Sequence, residues 1–283
     1  MRSAAHGRPS SWATRNSCLP TNFFGRSESE EEAELEDHEQ DLESILDEVQ
    51  TSGVKTLQLN WHYRSRHESL ITFSNWHYYD NKLITFPSTA TEDKAVHDPL
   101  PESEYDRGKS RTNKLEAERI VADAVERMKG WLKLPEDKRL TLGVITFNTQ
   151  QQTLIMDLFD RERRRFQEIE WFFDEERVEP TVVKNLENVQ GDERDVMLFS
   201  ITFGRTDKGT IPLNFGAINK IGGERRLNVA VTRAREELIV YSSFKAEELN
   251  TERTSSVGVH HLKKFLDFAE RGTLPFGPQM KAL

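Results

Sequence analysis

The sequence predicts an α/β domain of three layers, in which a mostly parallel sheet lies between helices. Apolar runs of strand length alternate along the chain with helical patterns of ten or more residues. Such alternation requires right-handed crossovers between parallel strands. Residues 141–147 form an apolar run of the kind found in strands that are buried on both faces. The 283 residues are enough for one large domain or two small ones.

The first predicted elements lie within residues 35–86. A helix begins near residue 35, because apolar residues recur there at helical spacing. These residues are Leu42, Ile45, Leu46 and Val49. Gly53 ends this helix, and residues 56–59 and 83–86 are predicted to be short strands around a helix over 68–79. Residues 88–110, which contain two prolines, are predicted to be a loop.

The later elements follow the same alternation. Asn113 is suited to cap a helix, with Glu116 completing a capping box, and this helix extends to about residue 132. The remaining prediction is strand 141–147, helix 149–166, strands 181–184 and 196–203, helix 226–235, strand 238–242 and helix 259–270. Ligands of such sheets bind outside the carboxyl ends of the strands, so we expect functional residues in the loops that follow strands.

Charge divides the chain into four regions. The formal net charge is −9, but residues 28–48 contain twelve carboxylates and no lysine or arginine, and setting them aside leaves +3. We predict a disordered or non-native N-terminus over 1–24, an acidic insert and helix over 25–54, a mildly basic domain over 55–272 and a tail over 273–283. The insert is either a solvated linker or a gate that competes with nucleic acid for the basic surface.

Composition also restricts the class of protein. Cys18 is the single cysteine, which excludes an internal disulfide framework. No apolar stretch approaches the ~20 residues that a membrane helix needs, and the N-terminus lacks the apolar core of a signal peptide. We therefore expect a cytoplasmic protein without a membrane partner.

Three segments beside predicted strands carry residues suited to chemistry. They are Trp61-His62-Tyr63-Arg64-Ser65-Arg66-His67, Asn188-Val189-Gln190-Gly191-Asp192-Glu193-Arg194-Asp195, and the run from Arg225 to Arg235. The planar guanidinium of Arg64 suits a phosphate oxygen. Gly191 permits close approach of a ligand to the backbone. Each segment alone is more often a surface ion pair or a turn, and only their order within one α/β domain points to function.

That order resembles the C-terminal RecA-like domain of superfamily 1B helicases. Residues 61–67 resemble the Asn-Tyr-Arg-Ser-His element of that family, and Val144-Ile145-Thr146-Phe147-Asn148 resembles Val-Ile-Thr-Pro-Tyr. Residues 189–193 resemble Phe-Gln-Gly-x-Glu, and 227–234 match Leu-Asn-Val-Ala-x-Thr-Arg-Ala without a gap. The resemblance covers about residues 20–270 and implies a RecA-like fold of the P-loop NTPase class.

The resemblance also implies roles for individual residues. Arg64 and Arg233 would reach the γ-phosphate of ATP, and Tyr63, Gly191 and Glu193 would lie near the nucleotide. Three further residues would face single-stranded DNA or RNA, and these are Thr146, Asn148 and Gln190. We expect Arg64 and Arg233 to meet where the strand ends open, with neither neutralised by a buried carboxylate. No metal ligand is predicted within the chain.

The sequence departs from the family in ways that limit these roles. Val182-Val183-Lys184-Asn185 replaces Thr-Val-Asp, and Phe147 replaces proline. No Gly-x-x-x-x-Gly-Lys-Ser/Thr occurs in the 283 residues, so nothing in the chain would cradle the β-phosphate. We therefore expect a truncated helicase that uses ATP and Mg²⁺ only beside the missing N-terminal RecA-like domain, and that hydrolyses no ATP alone.

Two other functions fit parts of the sequence. A non-catalytic module that binds single-stranded nucleic acid or a protein partner would also lack the phosphate loop. A metal-dependent nuclease would use the acidic residues around the strongest strand together with a lysine, namely Asp192, Glu193, Asp195 and Lys184. The histidine pairs have no cysteine or carboxylate at ligand spacing, which argues against a zinc site.

Overall fold

The computed structural model describes Val49 and residues 52–55, 57–89 and 92–272. The predictions for the N-terminal region, the acidic insert, the tail and most of the helix from residue 35 lie outside the described residues. None of the helices in the described residues combines the length and the apolar composition that a membrane-spanning helix requires.

Five parallel strands form the central sheet, in the order β1-β5-β4-β2-β3. They are β1 (Ala95–Pro99), β2 (Leu142–Thr146), β3 (Val182–Asn185), β4 (Arg194–Ser200) and β5 (Ala234–Ser242). Within residues 57–89 and 92–272 the α-helices are α1 (Ser69–Tyr78), α2 (Lys114–Trp131), α3 (Thr149–Arg165), α4 (Gly223–Val231) and α5 (Val257–Arg271). Short 3₁₀ turns cover Glu136–Lys138, Gln167–Phe172, Gly216–Asn219, Ala246–Glu248 and Thr251–Arg253. The predicted α/β class with a parallel sheet is confirmed.

Two apolar cores flank the sheet, which gives the three predicted layers. Side chains alternate across β4, so Met197 and Phe199 enter one core while Val196 and Leu198 enter the other. The first core also contains buried residues of α1, α4 and α5. The second contains buried residues of α2 and α3. The strands that were predicted from continuous apolar runs are therefore the ones that have an apolar core on each face of the sheet.

Several predicted boundaries are wrong, and two corrections bear on function. Strand β1 lies inside the predicted loop 88–110 and pairs only with β5, at the edge of the sheet. Its sequence Ala-Val-His-Asp-Pro contains no apolar run that would predict a strand. Residues 57–59 and 83–86 form no strand of the sheet, and a single bridge joins Trp61 to Ile84.

The predicted helix 226–235 ends at Val231, and β5 begins at Ala234. Arg233 therefore lies in the turn between helix and strand, and Arg235 lies in the strand. The last four residues of the predicted helix, which include both arginines, are therefore not helical.

The start of helix α5 provides a test of local stability. The Ser256 side chain accepts from the Val259 N–H as the N-cap and donates to the Ile218 carbonyl. Replacing Ser256 with alanine should lower the free energy of unfolding by about 1 kcal/mol, because the cap is lost. Urea denaturation of Ser256→Ala checks this, with the exposed neighbour Ser255→Ala as control. Equal midpoints for the two variants would contradict the cap.

Candidate functional sites

Arg64 and Arg233 meet at Thr232. Nη1 of Arg64 lies 3.4 Å from the Thr232 carbonyl oxygen, and Nη2 of Arg233 lies 3.3 Å from the Thr232 hydroxyl oxygen. Arg233 also donates through Nε to the Val229 carbonyl, at 2.7 Å. The loop carrying Arg64 is held here because the Arg66 N–H donates to the Arg235 carbonyl. The structure thus brings together two arginines that are 169 positions apart.

This arginine pair lies at the opposite edge of the sheet from the one we expected. Arg233 and Glu193 directly precede β5 and β4, and the Arg194 N–H donates to the Arg233 carbonyl. They therefore lie at the amino ends of the parallel strands. The prediction of the carboxyl edge rested on a strand before Arg64 that is not part of the sheet.

Arg64 is also paired with a carboxylate, although this one is partly exposed and is not the buried carboxylate that we expected to be absent. Its Nε donates to Oε2 of Glu193, and both side chains are only partly exposed. The other oxygen of Glu193 lies 3.8 Å from Nη1 of Arg235. Glu193 therefore joins two arginines at this edge, and any anionic ligand of Arg64 has to compete with it.

Arg235 is held by a fixed network. Its guanidinium donates to both oxygens of Glu179, at 2.8 and 2.5 Å, and to Oδ1 of Asp195 at 2.9 Å. It also donates to the Thr141 hydroxyl at 3.0 Å. The hydrogen bonds that Arg235 donates to Glu179 contribute most to raising the pKa of Arg235, and burial opposes this rise. Every arm of this guanidinium is occupied, which identifies Arg235 as a structural residue.

The remaining residues predicted near the nucleotide lie beside this edge and are accessible. Tyr63 is 85% exposed and Gly191 is exposed, as is their neighbour Gln190, which was predicted to face the nucleic acid instead. Gly191 has φ of +97° in a turn closed by the Asp192 N–H and the Val189 carbonyl, which is a backbone conformation that favours glycine.

His62 adds no positive charge to the arginine pair near neutral pH. Burial, reinforced by the charge of Arg64 and opposed by Glu193, lowers the pKa of His62 to about 4. Its Nε2 lies 2.9 Å from the Ser65 hydroxyl, which fixes the turn that carries Arg64.

A cavity of about 780 Å³ opens at the carboxyl edge, beyond the ends of β2 and β4. Its lining includes the aromatic residues Tyr105, Phe147 and Phe203 and the cations Arg107, Arg111 and Lys220. The three cations are exposed, and Lys220 lies 3.7 Å from Glu187. Sequence reasoning missed these cations, because residues 105–111 and 220 belong to no strand-end motif.

The three residues predicted to face single-stranded DNA or RNA do not lie together in the fold. Asn148 lines the carboxyl-edge cavity, caps α3 through the Gln151 N–H and donates to the Arg111 carbonyl. Thr146 is completely buried and its hydroxyl donates to the Asn148 carbonyl, so it supports this turn and presents no side chain to a ligand. Gln190 is not among the cavity residues and precedes β4.

Sequence reasoning also missed a serine, a histidine and a glutamate that are joined by hydrogen bonds, as they are in some hydrolase sites. His97 lies 2.8 Å from the Ser242 hydroxyl through Nε2 and 2.9 Å from Oε1 of Glu270 through Nδ1. The Ser242 hydroxyl donates to the Phe244 carbonyl and is completely buried. This chain of bonds therefore ties β1, β5 and α5 together and offers no accessible nucleophile.

The acidic residues considered for a nuclease are each beside a cation. Asp195 is bonded to Arg235, Glu193 to Arg64, and Asp192 lies 3.9 Å from Nζ of Lys184. In the described part of the chain, no three histidine, cysteine or acidic side chains are grouped as metal ligands would be. Asp192 and Lys184 do lie together, but Arg64 and Arg235 would compete with a metal ion for Glu193 and Asp195, which argues against the nuclease.

Comparison with known proteins identifies relatives. A family model described as AAA domain matches residues 42–245. A Mycoplasma genitalium protein named as an uncharacterized ATP-dependent helicase is 36% identical over 265 residues, which are 89% of this chain and 22% of that protein. Its Mycoplasma pneumoniae homologue is 35% identical over 268 residues, with the same two coverages. The chain thus spans 22% of the length of these relatives.

One solved structure is a more distant match. The C-terminal domain of a possible DNA helicase from Lactobacillus plantarum is 14% identical, with a TM-score of 0.35 over 64% of this chain and 86% of that chain. A likeness at this level carries no argument about function.

Proposed function

Because the chain belongs to the AAA domain family through residues 42–245, we propose that it is the second RecA-like half of an ATP-dependent superfamily 1 helicase acting on DNA or RNA. The observation that carries this proposal is the meeting of Arg64 and Arg233 at Thr232. Two guanidinium groups at one edge are suited to phosphate oxygens. Similarity to proteins named ATP-dependent helicases supports ATP as the source of the phosphate.

The residues present fit one side of an ATP site. Arg64 and Arg233 supply cations, exposed Tyr63 supplies an aromatic face, and Gly191 permits close approach of the backbone. The chain contains no phosphate-loop sequence, so the β-phosphate and Mg²⁺ would be held by a separate N-terminal RecA-like domain. Bound ATP would supply the γ-phosphoryl group whose transfer to water drives the motor.

Arg64 would exchange partners when the two domains close. Glu193 holds its guanidinium in the isolated chain, and a γ-phosphate with more than one negative charge competes strongly for it. Arginines supplied across an interface stabilise the charge of the transition state. Closing and opening around ATP would then move the two halves along a strand.

The carboxyl-edge cavity is the proposed contact with a single strand of DNA or RNA. Arg107, Arg111 and Lys220 present positive charge around the cavity, and Asn148 supplies an amide at its wall. Phosphate contacts of this kind release bound counterions, so the affinity should fall steeply as salt rises. A non-catalytic module that binds single-stranded nucleic acid would show the same salt dependence. The pair Arg64 and Arg233 favours the helicase, because such a module would not need arginines that are suited to ATP.

Strand binding tests the cavity directly. A labelled oligodeoxythymidine, titrated with the chain by fluorescence anisotropy between about 50 and 200 mM salt, should bind more weakly at high salt. Lys220→Ala and Arg107→Ala should each weaken binding and reduce the salt slope by about 1, because each removes one phosphate contact.

Lys133→Ala is the matched control. Lys133 is an exposed cation beyond the last residue of α2, whereas the cavity lies near the first. Equal losses from Lys133→Ala and Lys220→Ala would show that only the overall charge matters and would remove the cavity from the proposal.

A further inference from the structure

Glu116, in the first turn of α2, is a completely buried carboxyl group away from the arginine pair. Its Oε1 accepts from the Ser200 hydroxyl and from the Thr202 N–H, and its Oε2 accepts from Nδ2 of Asn113 at 3.3 Å. The predicted capping box is therefore only half formed. Asn113 caps α2 through the Glu116 N–H, but the Glu116 carboxyl group turns inward to the end of β4.

The turn that Glu116 holds is strained. Thr202 has φ of +63°, and a β-branched residue rarely adopts positive φ. The Phe203 N–H donates to the Ile201 carbonyl at 2.6 Å, which closes a three-residue turn around Thr202. Strain of this kind persists only where the surroundings impose it. The bond from the Thr202 N–H to Glu116, at 2.8 Å, is the direct restraint.

The same hydrogen bonds extend to the start of helix α3. Gln151 is completely buried, and its Nε2 donates to the Asn113 carbonyl and to the Ser200 hydroxyl oxygen. Its Oε1 accepts from the Asn113 N–H. Glu116, Asn113, Gln151 and Ser200 thus form a closed ring of buried polar groups.

Each part of this ring adjoins a wall of the carboxyl-edge cavity. Phe203 follows Thr202, and Arg111 lies two residues before Asn113. Asn148 bonds both to the Gln151 N–H and to the Arg111 carbonyl. Three separate segments of the cavity wall are therefore fixed to one another through the ring.

We propose that Glu116 is a positioning residue that sets the geometry of the carboxyl-edge cavity and thereby its affinity for a single strand. This rests on the proposed function, because the ligand is the nucleic acid named there. Glu116 touches no ligand itself. It acts by restraining the turn 201–203 and, through Ser200, the first turn of α3.

The protonation of Glu116 supplies a distinctive readout. Burial raises its pKa to about 8, although the hydrogen bonds from Ser200 and Thr202 oppose this rise. The groups bonded to its carboxyl are uncharged, namely Asn113, Ser200 and Thr202, and Gln151 faces it across Ser200. Loss of the proton would strengthen the accepted hydrogen bonds but bury a charge that has no cation beside it. The burial cost is the larger effect and favours an open turn, so the affinity for nucleic acid should fall as pH rises through about 8.

The test is strand binding across pH with Glu116→Gln, which keeps an uncharged oxygen acceptor. The unaltered chain should bind a labelled oligodeoxythymidine about tenfold more weakly near pH 9 than near pH 7. Glu116→Gln should bind as the unaltered chain does near pH 7 and show no such loss. Glu118→Gln is the matched control, because it removes one charge from the same helix outside the ring.

The outcomes separate this inference from the proposed function. No binding by the unaltered chain near pH 7 would refute the proposed function, and this inference with it. Binding that falls equally with pH in the unaltered chain and in Glu116→Gln would refute the role of Glu116 alone. Glu116→Gln is used for the test because it preserves the size of the side chain, whereas Glu116→Ala would leave a cavity and could fail to fold.

Discussion

Replacing Arg235 with alanine should lower the free energy of unfolding by about 3 kcal/mol. The change leaves Asp195 and Glu179 without the cation that they share, and removing one partner of a buried ion pair is strongly destabilising. The carboxylate of Asp195 is only 9% exposed, whereas that of Glu179 is 29% exposed, which places the cost at the lower end of the usual range. Urea denaturation measures it.

Arg66→Ala provides the comparison for this prediction. Arg66 also pairs with a carboxylate, Glu236, but its side chain is 65% exposed. Surface pairs contribute about 0 to 1 kcal/mol, so this variant should unfold almost as the unaltered chain does. If Arg235→Ala were no less stable than Arg66→Ala, Arg235 would not be the structural residue of the motif.

The same network predicts how stability depends on acid. Burial raises the pKa of Asp195, but hydrogen bonds from Thr141 and Arg235 outweigh it, and the pKa is lowered. The hydrogen bond from Arg235 is the largest cause that lowers the pKa of Glu179. A carboxyl with a lowered folded pKa stabilises the fold above its unfolded pKa and loses that contribution as pH falls through the folded value. The free energy of unfolding should therefore decrease as pH falls below about 4. This decrease should be smaller in Arg235→Ala than in the unaltered chain, because the variant lacks the cation that lowers both pKa values.

The sequence predicted the elements whose pattern is local. Strands β2 and β4 were found because both faces are covered and apolar residues fill most of β2 and the run from Val196 to Phe199 in β4. Helix α2 was found because Asn113 caps it and its inward residues recur at helical spacing. Strand β1 was missed because the contacts that fix it are distant in sequence, and no local pattern encodes them. It pairs with β5, about 140 positions away, and His97 bonds to Glu270, 173 positions away.

The candidate site, like the fold, was predictable only where a local sequence motif specifies it. The motif order pointed to Arg64 and Arg233 together, and they do meet at Thr232. The edge was wrong, because the sequence did not reveal that residues 57–59 lie outside the sheet. Glu116 was interpreted as a capping residue, since its spacing from Asn113 fits that role equally well. Only the fold shows that its carboxyl group meets Ser200 and Thr202.

Replacing Arg233 or Arg64 with alanine should reduce ATP turnover by about 10³-fold or more when the chain works beside a nucleotide-binding domain. Arginines that reach the γ-phosphate across a domain interface stabilise transition-state charge to this extent. Neither change should affect strand binding at the carboxyl-edge cavity, because the arginines lie at the amino edge. Arg66→Ala, in the same loop as Arg64, should leave turnover within about twofold.

The most direct test is strand-stimulated ATP turnover in a chimera in which this chain replaces the matching segment of the Mycoplasma genitalium relative. We expect turnover by the chimera, none by the isolated chain, and a loss of about 10³-fold in Arg233→Ala with Arg66→Ala unchanged. An active chimera in which Arg233→Ala turns over ATP as fast as Arg66→Ala would contradict the proposal that this domain supplies arginines to the nucleotide.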